Sequence, residues 1–124
     1  MVASIAESAP QLARALSLTW DGAVIHDPLQ FVNVTFLPNL AGGAVVELVE
    51  PVGPRSPVRK FAEAGGGLHH VCYEVDDLAA QLDQSRAAGC TVVRVPLPAR
   101  AFGGRKIAWV ITPQKLLVEF LARQ

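Results

Sequence analysis

Nothing in this chain is concentrated enough to tie it to a large charged partner. Basic and acidic residues balance at 11 each, so the formal charge is zero, and no polybasic run forms. That leaves no electrostatic footprint for nucleic acid or for an anionic membrane surface. No apolar stretch approaches the roughly 18–20 residues needed to cross a bilayer. The first residues lack the charged segment and long apolar core of a secretory signal, so the expected compartment is the cytoplasm. Cysteine is scarce too. Cys72 and Cys90 make neither a disulfide framework nor a CxxC metal motif, and reduced, partly buried thiols are expected. Hydrophobic residues make up 51% and charged residues 18% of 124 positions, which fits one compact globular domain.

Against this background a carboxylate sits twice inside an otherwise apolar strand. The segments are Ala44-Val45-Val46-Glu47-Leu48-Val49 and Lys115-Leu116-Leu117-Val118-Glu119-Phe120-Leu121. An ionised carboxylate buried without a partner costs several kcal/mol or more, so each acid must face water, pair, or bind a metal.

The periodicity gives a coarse element order. Val2 to Ala6 reads as a short strand. Ser8 reads as a helix cap, with Pro10 in the first turn and Leu12, Ala15 and Leu16 on one face. Strands are expected at 18–25, broken at Asp21-Gly22, at 30–37, and at 44–49. Residues 53–67 form a Pro- and Gly-rich connection in which Ser56-Pro57 opens a short helix ended by Gly65 to Gly67. A second series follows: a strand at 68–75, a helix capped by Asp76 or Asp77 that carries Leu78 and Leu82 and stops at Gly89, and strands at 91–95, 106–111 and 116–121. The order β-α-β-β-β thus occurs twice, in modules of about 1–52 and 68–124. The expected class is α+β, with two βαβββ modules in a cup-shaped mixed sheet and helices on its convex side. The repeat aligns Met1 with His70 and Glu47 with Glu119.

Alternation along a strand puts His70, Cys72 and Glu74 on one face and His69, Val71, Tyr73 and Val75 on the other. His70, Glu47 and Glu119 in one concavity would suit Zn, Ni, Co, Mn or Fe. From the residues alone a solvated strand glutamate and a hydrogen-bonded core histidine remain equally open readings. Arg105 and Lys106 follow the Phe102-Gly103-Gly104 loop, where they can meet a small anion or simply face solvent.

The segment Arg55 to Ala79, containing GGGLHHVCYEVDDL, resembles the vicinal oxygen chelate superfamily of glyoxalases, bleomycin resistance proteins and dioxygenases. Within it the likeness is to methylmalonyl-CoA epimerases and lactoylglutathione lyases. VVELVEP at 45–51, FGGRKIAWVITP at 102–113, LLVEF at 116–120 and QFVNVTFLP at 30–38 extend the likeness over most of the chain. It implies paired βαβββ modules around a divalent metal held by His70, Glu119 and Glu47. It also implies a carbonyl or thioester substrate whose enolate or enediolate is stabilised, and a homodimer. Glu119 or Glu47 would be the base, with Gln30, Cys72, Glu74, Arg105 and Lys106 lining the substrate site.

Two positions depart from the pattern. The histidine the family carries just before its first strand falls at Met1. Two expectations are open: the natural chain begins upstream, or the site lacks that ligand; the thioether matches a hard ion poorly, and the α-amino group is the other donor there. The acid that some epimerases carry on the third strand falls at Asn33 or Val34, neither of which takes up a proton. The alternative expectations are a metal-free protein of the same fold that sequesters a ligand, and a dimerising partner subunit.

Overall fold

The computed structural model describes residues 1–124 and divides into two compact units, Met1–Leu68 and His69–Gln124. In the first unit, α1 (Ile5–Leu16) is followed by β1 (Ile25–Asp27), β2 (Val32–Leu37), β3 (Val46–Pro51) and the short α2 (Arg59–Glu63). The strands form an antiparallel sheet in the order β1-β2-β3.

The first expected strand is instead the start of the helix. Ser4 is the N-cap, its Oγ accepting from the amide of Glu7 at 3.3 Å. The Glu50 carboxylate on β3 accepts the Ile5 amide at 2.7 Å. Two of the amides a helix leaves unpaired at its start are thereby satisfied one turn earlier than Ser8 would allow. Pro10 then falls inside the helix. The apolar face accordingly runs through Ile5, Ala9, Leu12 and Ala13, which pack with Leu37 and Leu48 of the sheet, while Leu16 is exposed. What remains of the first strand is one bond, from the Val2 amide to the Val49 carbonyl at 3.0 Å.

Residues 18–24 also form no strand. Leu18 and Trp20 join the α1 cluster, and the Trp20 indole N–H donates to Thr35 Oγ1 at 2.8 Å. The Thr19 amide and hydroxyl both donate to the Pro38 carbonyl, at 3.0 and 3.2 Å, so the stretch is tied down by isolated bonds and side-chain packing without a ladder.

The second unit holds β4 (Val71–Val75), α3 (Leu78–Ala87), β5 (Thr91–Pro98), a single 3-10 turn (Arg100–Phe102), β6 (Lys106–Ile111) and β7 (Leu117–Ala122). The sheet order is β4-β7-β6-β5, with β4 parallel to β7 and the other pairs antiparallel. Asp77 caps α3, accepting from the Ala80 amide at 2.9 Å. Leu78 and Leu82, one turn apart, lie against Ala108, Val110, Val118 and Phe120. Strand alternation then puts Ile107, Trp109, Glu119 and Leu121 on the face away from α3; Ile107 and Leu121 pack there with Ala99. β5 runs on to Pro98, past the expected end at Val95, through register shifts that take up the Pro96 position, where no amide can join the ladder.

The seven strands and three helices make an α+β protein with a helix on one face of each unit's sheet. No helix is long and apolar enough to cross a membrane.

Candidate functional site

Glu119 is held in the middle of β7, between Cys72 of β4 and Trp109 of β6 in the ladder. Its neighbours Val118 and Phe120 point at α3, so its own carboxylate is committed to the opposite face, where the residue is only 2% exposed. Desolvation on that scale demands a compensating group. It is supplied by His70, whose Nε2 stands 3.4 Å from Glu119 Oε2, with the two side chains 11% and 3% exposed. An imidazole nitrogen facing a buried carboxylate is a pair able to share a cation or to exchange a proton.

His70 is itself braced. Its ring meets the Trp109 ring edge-on, centroids 4.5 Å apart at 75°. Its Nδ1 lies 3.0 Å from Nδ1 of His69. Strand alternation puts His69 on the far face from His70, which holds only for regular strand backbone. The ladder begins at Val71, and before it the two rings come together, centroids 5.2 Å apart at 87°. Burial, followed by the neighbouring His70, lowers the His69 pKa to about 4, which keeps that ring neutral near pH 7. Sequence reasoning missed Trp109, although alternation along β6 carried the signal: Ala108 and Val110 face α3, so Trp109 faces the acid.

In the first unit Glu47 lies opposite Phe36 on β3, and its neighbour Leu48 packs on α1. Glu47 therefore belongs to the face away from α1, as Glu119 belongs to the face away from α3. The α-amino group of Met1 donates to the Gly67 carbonyl at 2.9 Å. Burial lowers the pKa of that amine, with the Glu47 carboxylate opposing the shift. Asn33 carries no acid and lies on the α1 face, its amide donating to Glu50 at 3.1 Å while its oxygen meets His26 Nδ1 at 3.0 Å. Val34 is buried.

The residues expected to line a substrate site have other engagements. The Gln30 amide donates to Asp27 at 3.2 Å in the turn after β1. Glu74 and Arg105 meet each other at 3.0 Å, and Arg123 approaches the same carboxylate at 3.6 Å. The hydrogen bond from Arg105 lowers the Glu74 pKa. Cys72 is exposed on the edge strand β4. Lys106 stands on the α3 side of the sheet with Ala108 and Val110, beside an open cleft of about 290 Å³ that Leu78, Leu82, Arg86 and Pro96 also line. It is thereby on the other face from Glu119.

The model of the glyoxalase/bleomycin resistance protein/dioxygenase superfamily matches residues 1–109. The chain belongs to this superfamily. Among curated proteins it is 36% identical over 93 residues to the ethylmalonyl-CoA/methylmalonyl-CoA epimerase of Cereibacter sphaeroides, covering 72% of this chain and 66% of that one. The chain thus spans just under two thirds of that relative, and about half the length of mitochondrial methylmalonyl-CoA epimerases that it also matches. Among solved structures, a hypothetical protein from Bacillus halodurans C-125 superposes with a TM-score of 0.84 at 26% identity, over 98% of this chain and 88% of that one. A Streptomyces coelicolor methylmalonyl-CoA epimerase variant in complex with 2-nitronate-propionyl-CoA gives 0.75 at 22% identity, over 96% and 89%. These likenesses agree with the vicinal oxygen chelate fold read from the GGGLHHVCYEVDDL stretch.

Proposed function

We propose that this superfamily member is an epimerase- or glyoxalase-like enzyme that moves a proton on the carbon beside a carbonyl or thioester, and that His70, Glu119 and Glu47 hold one divalent metal. The observation that carries the proposal is the Glu119 carboxylate, almost fully buried and aimed at His70 Nε2. The donor types fit: one imidazole and two carboxylates suit Zn, Ni, Co, Mn or Fe and leave positions open for a substrate oxygen. Glu47 joins the set through the repeat, since it occupies in the first unit the strand and face that Glu119 occupies in the second. When bound, such an ion supplies Lewis-acid stabilisation of the negative charge on an enolate or enediolate oxygen.

The protein's own groups do the rest. With no acid at Asn33 or Val34, the proton falls to Glu119 or Glu47. Either carboxylate would act as base when only loosely held by the ion, because a bound cation lowers its affinity for a proton. The substrate class follows from the epimerase relatives, an acyl-CoA thioester with an acidic α-carbon. Gln30, Cys72, Glu74 and Arg105 are proposed to contact it, for Glu74 and Arg105 by exchange of their mutual ion pair; Lys106, on the α3 face of the sheet, drops out of that set. The two units are proposed to act as one domain, in a cytoplasmic homodimer.

A second reading is favoured by Met1 standing where the family has its first histidine: a metal-free protein that sequesters its ligand. Elemental analysis of protein prepared without chelator, combined with proton NMR of α-hydrogen exchange into D2O on methylmalonyl-CoA, separates the two. One ion per chain and metal-dependent exchange are expected. Metal-free protein that binds the thioester without exchange supports sequestration instead.

A further inference from the structure

The proposed metal donor His70 shares a single hydrogen bond with the residue before it. Two imidazole nitrogens 3.0 Å apart hold one proton between them, so either ring can be the donor. The direction matters for the site. If His69 donates, a neutral His70 carries its proton on Nε2, the atom that faces Glu119 at 3.4 Å. That nitrogen is then blocked as a ligand. If His70 donates from Nδ1, Nε2 offers its lone pair on the Glu119 side.

We infer that His69 is a positioning residue: its ring accepts the Nδ1–H of His70 and so fixes the tautomer and aim of His70 Nε2. This rests on the reading of His70 as a metal donor. Three features of the geometry support it. The contact exists only because the backbone at 69–70 is not yet strand; a regular strand would send the two rings to opposite faces. The chain spends this irregularity on joining the two imidazoles. Secondly, a half-turn of the His70 ring would put Cδ2 in place of Nδ1 and Cε1 in place of Nε2, giving up the bond to His69, and Trp109 packs edge-on against the ring at 4.5 Å. The hydrogen bond and the indole together leave one orientation. Thirdly, His69 comes within 6.5 Å of Trp109 as well, so the three rings form one packed group around the nitrogen that faces the acid. A histidine that binds a metal through one nitrogen is commonly oriented through its other N–H, and losing such a partner costs about 10–100-fold in affinity.

The test uses His69→Phe, which fills the same volume without an acceptor, and His69→Gln, which restores an acceptor oxygen. Nitrogen-15 NMR of the metal-free wild type should show His70 protonated at Nδ1 and the signal shifted by hydrogen bonding; in His69→Phe that shift should disappear. Cobalt or zinc titration by calorimetry should show affinity reduced about 10–100-fold in His69→Phe and recovered at least in part in His69→Gln, with unchanged far-UV circular dichroism. A neutral His70 protonated on Nε2 alone, or wild-type affinity in His69→Phe, overturns the inference. If the wild type takes up no metal at all, the proposed site fails, and the NMR comparison still decides the hydrogen bond by itself. His70→Ala, which removes the donor outright, marks the level of complete loss.

Discussion

Replacing Glu119 by glutamine keeps the shape of a side chain in which almost every atom is enclosed, and removes only its charge. In metal-free protein the consequence is small. A carboxamide still hydrogen-bonds the imidazole, so unfolding within about 1.5 kcal/mol of wild type is expected. With metal the two proteins should part. An ion that binds the folded state alone, at about 100 times its dissociation constant, stabilises by about 2.7 kcal/mol. A chain of 124 residues has an unfolding entropy of about 0.26 kcal/mol/K, from roughly 2.1 cal/mol/K per residue. The wild type should therefore gain about 10 °C in Tm on saturation, and Glu119→Gln almost none. Differential scanning calorimetry with and without zinc or cobalt measures this directly. Equal gains in the two proteins would refute the assignment of Glu119 as a ligand.

Two further outcomes follow from packing and protonation. Leu82, 3% exposed under α3, should cost about 2–5 kcal/mol when replaced by alanine, read by urea denaturation with unchanged slope; a loss under 1 kcal/mol would mean that α3 is not seated on the sheet as described. His69 has its pKa lowered to about 4 from 6.5, so the folded state disfavours its charged form. The unfolded chain then binds more protons between those values, and stability falls as pH drops from about 6.5 towards 4. Tm measured across that window should decline less steeply in His69→Gln.

Several of the expected elements were legible because they rest on local rules. Asp77 caps α3 as a carboxylate before an apolar helical run should, and 106–111 is a strand with the bounds its alternation suggested. The α1 start was misplaced at Ser8, although Ser4-Ile5-Ala6-Glu7 carries the capping-box spacing; what no local pattern announces is the second support, Glu50, 45 residues away, on the Ile5 amide. The same limit hid the pairing of Glu74 with Arg105. Residue types and spacing suggested a role for each, but the pair forms across the end of β7, which lies between β4 and β6.

The sequence by itself determined which way the key acid faces. With Val118 and Phe120 apolar on either side of Glu119, a period of two commits the carboxylate to the opposite surface whatever the neighbours are. The GGGLHHVCYEVDDL stretch likewise sufficed for the superfamily. Only the tertiary structure decided what the carboxylate meets there. The parallel register of β4 on β7 and the antiparallel register of β6 bring His70 and Trp109 to it, and the irregular backbone before Val71 adds His69. Periodicity encodes a face; partners across strands depend on register, which is set by the packing of the whole sheet.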